Sequence, residues 1–463
     1  MSATFVVIGG GIAGVSCSEM LSFLEPNHRI ILVSESSLIK TVTNIQALTK
    51  TITNFDVVEK EAQSLAHTHP NVTVILDSVT KINTIDNIIE TKSSNILKYK
   101  YLCICTGGRP KLITHRLPSK YILGIRDTDS VEDFVEKLSD STKIVLVGNG
   151  GIASEIIYKI RNVEVHWIIK DKHITATFVD PGAATFFQES LNQTTSSSTA
   201  KQMRYKEDGP KSGAALGPDW YKNLEIYGAL SKSLPDNIKI HYESEIADTS
   251  LCGDSSSLHP IKATLSNGVV IDCDLIVSAT GVLPHHQFNI EGANLNLSKD
   301  GGIVVNQFLQ TSIENIYAAG DVCSPNWPYA THWFPMRLWT QARQMGCYVA
   351  KSMCANFNKE EILQDFCFEI FTHSTKLFGY KVILLGLYNG QKLGQDYEML
   401  LRMTKGHEYI KFVIQNGKLQ GAILIGETDL EEMCENLILN QIDISPYGTD
   451  ILNPDIDIED YFD

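Results

Sequence analysis

Residues 4–15 read TFVVIGGGIAGV. An apolar run, Phe5 to Ile8, meets Gly9-x-Gly11-x-x-Gly14, and VSCSEMLSFL then continues with helical periodicity. Each glycine has its own reason. Gly9 permits a tight strand-to-helix turn, Gly11 lets a pyrophosphate approach the backbone, and Gly14 lets helix and strand pack closely. A helix N-terminus supplies free N–H groups and a partial positive charge for phosphates. A second β-rich run, RIILVSE (29–35), follows at the distance a βαβ unit requires. Its end, Ser34-Glu35, is the candidate for the ribose hydroxyls. In this context the turn reads as a dinucleotide site; a chance glycine turn is the weaker reading.

The pattern returns at 143–155, KIVLVGNGGIASE. Ile144 to Val147 form the strand, Gly148-Asn149-Gly150-Gly151-Ile152-Ala153 the turn, and Glu155 lies on the new helix. The next strand, VEVHWIIK, ends at Lys170-Asp171-Lys172. An acid expected at this strand end for a ribose 2′-hydroxyl is missing from its register. Lys170 and Lys172 suit a 2′-phosphate instead, which favours NADPH, or no strict preference, over strict NADH. Solvated loop charges are the plainer reading of the two lysines.

The chain as a whole sets limits. Its 463 residues suffice for two or three domains. Its net charge of −15, without any Lys/Arg cluster, argues against direct nucleic-acid binding. No apolar run reaches the length of a membrane span. The apolar N-terminus lacks a basic leader region and reads as a strand, not a signal peptide. Ten cysteines are scattered without C-x-x-C or zinc-ligand spacing, so no metal site is expected and buried thiols are the default. Cys103 and Cys105, in YLCICTGG (101–108), share one face of a strand. A bond between them would strain a very short ring, so packing is the preferred reading over redox work.

Residues 311–321, TSIENIYAAGD, end a strand in Gly320-Asp321, with a helix expected after a short loop. Together with CTGGRP (105–110), SATGVLP (278–284) and the two glycine turns, this strongly resembles the FAD-dependent pyridine nucleotide–disulfide oxidoreductases. The resemblance implies an α/β fold with two Rossmann-like dinucleotide-binding domains, the second inserted in the first, plus a C-terminal α+β interface domain. It implies an FAD domain over 1–115 and 275–355, an NAD(P)H domain over 116–274, and a C-terminal domain over 360–463. The FAD residues carried over are Gly9, Gly11, Ile12, Ala13, Gly14, Ser34, Glu35, Lys40, Val79, Thr106, Gly107, Gly320, Asp321, Trp339 and Gln341. Asp321 is the acid for the flavin ribityl chain. A helix starting near Met336 to Trp339 would aim its positive end at the flavin, with Trp339 and Gln341 at that edge. For NAD(P)H they are Gly148, Asn149, Gly150, Gly151, Ile152, Ala153, Glu155, Lys170, Lys172, Thr280 and Gly281. Glu155 and Lys40 are the candidates nearest the reacting rings.

The stretches FPMRLWTQARQMG (334–346) and LFGYKVILLG (377–386), with the ending NPDIDIEDYFD, narrow the resemblance to one group of this family. That group is regarded as cytoplasmic and nuclear, and is associated with keeping the tRNA ligase complex active in air. Both compartment and partner come from the resemblance alone. Oligomeric state, monomer or homodimer, stays open.

Two regions look peripheral. Residues 192–217 are rich in Ser, Thr, Gly and charge, the texture of a tolerated insertion, with GPDW (217–220) marking a return to structure. The tail from 450 to 463 holds six acids in fourteen residues, a solubilising end or a short docking peptide. Between them, from about 360, short strands are expected, with Asn-Gly hairpin turns at 389–390 and 416–417. A helix is expected after Thr428, its N-cap, with Glu431 completing a capping box.

The electron exit is where the sequence departs from the family. Relatives carry C-x4-C, or a single cysteine, on the first helix after the second strand. Residues 38–55, LIKTVTNIQALTKTITNF, contain none. Three functions remain open: a flavoprotein that protects a partner against oxidation, a conventional reductase for a redox protein, quinone or oxygen, and a structural protein that merely holds FAD.

Overall fold

The computed structural model describes residues 1–114, 117–191, 237–252, 258–426 and 428–454. The insertion at 192–217, its return at 217–220 and the acids from 455 onward lie outside the described residues. The chain divides into two units, Met1–Arg109 with Leu283–Phe371, and Pro110–Val282 with Thr372–Asp463.

The first unit is built on one eight-stranded sheet. Its parallel heart runs Ile96–Ile104, Ser2–Ile8, Ile30–Ser34, Val72–Leu76. These strands are apolar on both faces, as a parallel sheet covered on both sides demands. Phe5, Val6 and Val7 are fully buried, as are Ile30 to Leu32. Each large aliphatic or aromatic side chain so buried contributes about 1.5–3 kcal/mol. Two helices lie together against this sheet's core, Ile12–Leu24 and Trp339–Asn358. The strand Ile316–Ala318 adds beside Ile96–Ile104, so the chain end near Gly320 arrives next to Cys105.

The region that corresponds to the relatives' cysteine-bearing helix is a hairpin here, Leu38–Ala47 with Thr53–Glu61. Its paired runs are rich in β-branched residues (Thr41, Val42 and Thr43 against Val57 and Val58), which favour strand over helix. The helix after Gly320-Asp321 does not follow a short loop. A strand, Cys323–Pro325, and an aromatic segment intervene before it starts at Trp339. Trp327, Tyr329 and Trp333 pack on one another there, with centroids 5.1–5.7 Å apart.

The second unit contains a five-stranded parallel sheet in the order Ile122–Gly124, Leu275–Ser278, Lys143–Val147, Glu164–Ile168, Ile238–His241. A three-stranded antiparallel sheet, Ile246–Leu251, Ile261–Leu265 and Val270–Cys273, accompanies it. The same unit holds a five-stranded antiparallel sheet made from Thr372–Leu377, Tyr380–Gly386, Lys418–Ile425, Glu408–Gln415 and Glu398–Thr404. The helix Glu431–Asn440 packs on it.

Asn416-Gly417 is the expected two-residue hairpin, both residues with positive φ (52° and 69°). Asn389-Gly390 is not a hairpin turn, because Tyr380–Gly386 pairs with Lys418–Ile425 rather than with Glu398–Thr404. Asn389 instead takes the Lys411 ammonium at 2.8 Å. Thr428 does not cap the last helix, whose N-cap is Leu430 without a side-chain bond. Glu431 is drawn to Lys381 at 2.6 Å instead of closing a capping box.

Candidate functional site

In the first unit the glycine turn is fixed by packing on one side and left open on the other. Gly9 has φ +117°, and a Cβ there would meet the Cys105 carbonyl oxygen at 2.2 Å. A Cβ on Gly14 would meet the Gly9 oxygen at 1.9 Å. A Cβ on Gly11 would meet nothing within 4 Å. Gly11 is the N-cap of Ile12–Leu24 and offers no side-chain cap, so the helix's first N–H groups face that open space. This is the cradle a pyrophosphate fits. Ile12 and Ala13 are buried beneath it.

The neighbouring strand ends close the cradle. Thr106 Oγ1 donates to the His285 carbonyl, and Gly107 turns with φ +68°. Gly320 brings Ala13 near, and Gly346 on the long helix is closer still: its Cβ would meet the Ala13 oxygen at 2.4 Å. Gly346 closes the stretch FPMRLWTQARQMG, but the sequence alone gives no sign that it packs on the glycine turn. Asp321 is buried, and its carbonyl accepts from Arg337 Nε at 3.0 Å. Arg337 is ion-paired with Asp300, whose Oδ1 also accepts from the Ser324 hydroxyl at 3.1 Å. Burial pushes the Asp300 carboxyl up, but Ser298, Arg337 and the Gly302 amide hold it well below the usual range. The Arg337–Asp300 support was also invisible in sequence, because its members are scattered over thirty-seven positions.

Lys40 sits on the hairpin. Its amide donates to the Gly10 carbonyl at 3.0 Å, its ammonium lies 3.6 Å from Glu59 and 5.4 Å from the Trp339 ring centroid. The structure thus brings Lys40 and Trp339 together. Gln341 is buried and occupied by the preceding loop, accepting from the Met336 amide at 2.7 Å and donating to the Phe334 carbonyl at 2.9 Å. Ser34 is buried with its hydroxyl on the Ser36 carbonyl, whereas Glu35 is exposed and accepts from Ser78 Oγ at 2.9 Å. Val79, next in sequence, is half-buried against the core.

The cysteines beside this cradle are thiols in a tight apolar setting. Cys103 and Cys105 are buried with their sulfurs 3.4 Å apart. Burial pushes the Cys17 and Cys103 thiols up, and likewise Cys323, whose sulfur donates to the Gly320 carbonyl at 3.2 Å. Raised thiols are poor nucleophiles.

The second unit repeats the logic. Gly148 has φ +131°, and its Cβ would meet the Ala279 oxygen at 2.2 Å, while a Cβ on Gly150 would meet nothing within 4 Å. Gly150 is the N-cap of Gly151–Lys159, again without a side-chain cap. Gly151 and Ile152 are half-buried, Ala153 is buried, and Glu155 is half-buried on the same helix. Thr280 and Gly281 tie to Lys111: Thr280 Oγ1 donates to its carbonyl at 2.7 Å, and its amide donates to Gly281 at 2.9 Å.

Asn149 is the pivot of this turn. Its Nδ2 donates to Asp171 Oδ2 and to the His173 carbonyl, both at 2.9 Å, and its Oδ1 accepts from the Thr175 amide at 2.5 Å. Lys170 and Lys172 are exposed, while Asp171 is drawn in to the glycine turn. The acid is therefore present near the turn, three positions beyond the end of Glu164–Ile168. Trp167 adds a bond to the Gly148 carbonyl at 2.7 Å.

Known proteins share this arrangement. The sequence pattern of the pyridine nucleotide-disulphide oxidoreductases matches residues 3–199 and 224–346. That of the rubredoxin NAD+ reductase C-terminal domain matches 373–442. The chain is 49% identical to the Drosophila melanogaster pyridine nucleotide-disulfide oxidoreductase domain-containing protein 1, over 99% of both chains. It is 44% identical to the Homo sapiens protein of that name, over 99% of this chain and 98% of the relative. Among solved structures, the covalent putidaredoxin reductase–putidaredoxin complex has a chain superposing with TM-score 0.69 at 16% identity, covering 99% of this chain and 98% of that one. The ferredoxin reductase of the Rhodopseudomonas palustris CYP199A2 system superposes with TM-score 0.65 at 18% identity, over 91% of each. Fold and family are those of two-dinucleotide flavoprotein oxidoreductases, and this chain belongs to the pyridine nucleotide-disulfide oxidoreductase family.

Proposed function

We propose that this chain is an FAD-dependent NAD(P)H oxidoreductase that delivers electrons to an acceptor outside its own cysteines. Its role on this reading is antioxidant, keeping a thiol-bearing partner such as the tRNA ligase complex from oxidation in cytoplasm and nucleus. One observation carries the first part: the segment where relatives hold reactive cysteines is a cysteine-free hairpin, and it presents Lys40 beside Trp339 instead. Cys103 and Cys105 are both buried, and burial pushes the Cys103 thiol well up, so the pair is unsuited to take over. The partner and the compartments rest on the resemblance to the group described above.

Bound FAD would supply the hydride-accepting and electron-releasing chemistry. The chain's own residues supply the rest. Gly11 and Gly150 leave room for the two pyrophosphates, and the helix N-termini behind them supply N–H donors. Arg337 and Asp300 fix Asp321 for the ribityl chain. Lys40 offers a cation where reduction builds negative charge. Glu155 is the acid for the nicotinamide end. For the donor, Asp171 suits a free ribose 2′-hydroxyl, whereas Lys170 and Lys172 suit a 2′-phosphate. Both nucleotides are therefore accepted on this reading, and Asp171→Asn shifts the kcat/KM ratio toward NADPH.

Anaerobic titration with NADH and NADPH tests the proposal. Bleaching of the flavin band is expected, and an unchanged band sinks the enzymatic reading. Slow reoxidation in air supports a protective role; fast turnover with oxygen favours a conventional reductase or oxidase.

A further inference from the structure

The parallel strands of the first unit have two ends. The glycine turn occupies the end at Ile8 and Ile104. At the other end, a cavity of about 480 Å³ opens around Ser2, Arg29, Asn87, Lys98, Lys100 and Asn315. The seven residues of Ser2–Ile8 separate the two ends by roughly 20 Å at the usual strand rise. Nothing in the flavoprotein reading uses the second end.

Its chemistry is one-sided. Three cations line the cavity and no carboxylate does. Arg29, Lys98 and Lys100 come from three places: the approach to the second strand, and two positions of Ile96–Ile104. None of them has a carboxylate within ion-pair distance among the described residues. Lys100 is steadied by apolar matter, its ammonium 4.4 Å from the Phe357 ring centroid, and Arg29 Nη2 reaches the Met1 sulfur at 3.9 Å. The N-terminal ammonium is near, donating to the Ile96 carbonyl at 2.8 Å. Asn87 and Asn315 take left-handed backbone (φ 54° and 61°), and their carbonyls accept from Tyr99 and Leu102 amides. In a chain of net charge −15, three cations without a carboxylate partner among the described residues make this hollow a local positive patch.

We infer that this hollow is a binding site for a small anion carrying two or more phosphoryl charges, separate from both dinucleotide sites. The volume lies in the small-molecule range of about 300–1,000 Å³. Cations with amide and hydroxyl donors, and no acid, suit phosphate oxygens, with Arg29 able to engage two at once.

The experiment is calorimetric titration of the FAD-loaded full chain with inorganic tripolyphosphate at low ionic strength, beside inorganic sulfate at equal ionic strength. A saturable component is expected for tripolyphosphate and a far weaker one for sulfate. Lys98→Ala with Lys100→Ala should weaken that component at least tenfold and leave the flavin spectrum unchanged. Arg29→Ala, tested alone, should weaken it several-fold and serves if the double variant fails to fold. Affinity should fall steeply with added salt. No saturable binding by the parent chain overturns the inference. So does binding that survives the lysine or arginine replacements, which would place the anion at a glycine turn.

Discussion

The Lys411 ammonium lies 2.5 Å from Asp180 Oδ2, with the lysine side chain only 4% exposed. Asp180 also accepts from Tyr409 Oη at 3.0 Å and from the Gly182 and Ala183 amides at 2.8 and 3.1 Å, so it caps the helix Pro181–Leu191. Within the second unit, this joins the parallel-sheet part to the C-terminal sheet. Burial pulls the Lys411 ammonium down, the mark of a cation that depends on its partner. Burial alone would push Asp180 up, but Lys411 and the other donors hold it below its ordinary value.

The pair is asymmetric, and so are its variants. Asp180→Ala leaves a buried ammonium with Asn389 as its remaining named partner and removes a helix cap. A loss of about 3–5 kcal/mol is expected. Lys411→Met leaves Asp180 with three donors and is expected to cost less, about 1–2 kcal/mol. Urea unfolding of both variants, followed by fluorescence, measures the difference. Equal costs, or a costlier Lys411→Met, would contradict this account.

The first glycine turn separates folding from binding. Gly9→Ala puts a methyl against the Cys105 carbonyl at a backbone angle that L-residues avoid, and loss of the fold is expected. Gly11→Ala meets nothing within 4 Å, so the fold survives with a penalty of about 1 kcal/mol or less. The methyl then occupies pyrophosphate space. Circular dichroism should show a folded chain, and the flavin-to-protein absorbance ratio should drop several-fold. A Gly11→Ala protein that retains its full flavin complement would show the cradle to be placed wrongly.

That contrast also shows how far the sequence could be read. The glycine turns were legible because strand, turn and helix contribute to one contiguous stretch. Gly346 was not, since it meets Ala13 only after the long helix folds back, nor were Arg337 and Asp300, which pair across thirty-seven positions to reach Asp321. The hairpin at 38–61 is carried by β-branched residues on both strands, Thr41 to Thr43 against Val57 and Val58, a weak local signal for pairing. Asp171 lies beyond the register in which the sequence places a ribose acid, and its bond from Asn149 is visible only in the folded turn.

The thiols near the flavin cradle test the packing account. Cys103→Ala with Cys105→Ala removes two buried sulfurs and leaves a small void, at about 1–3 kcal/mol in stability. The anaerobic bleaching of the flavin by NAD(P)H should be unchanged in extent and within about twofold in rate. A variant that keeps its FAD but no longer bleaches would assign these thiols to electron transfer.

His373 gives the second unit a pH dependence of predictable sign. The ring is buried and stacks on Phe178 at 5.8 Å, and burial lowers its pKa from 6.5 to about 4. Between those values the unfolded chain holds a proton that the native chain does not. Stability is therefore full above about pH 6.5 and falls as pH drops toward 4. The deficit reaches about 2 kcal/mol at pH 5 and about 3 kcal/mol below pH 4. His373→Phe keeps an aromatic ring against Phe178 and removes the proton site. Its urea midpoint should decline less than the parent's between pH 7 and pH 5, by an amount matching that 2 kcal/mol. Carboxylates held low, such as Asp180, lose their contribution only at lower pH, so they cannot imitate the effect in this window. Parallel declines for parent and variant would mean that the imidazole is protonated in the native state after all.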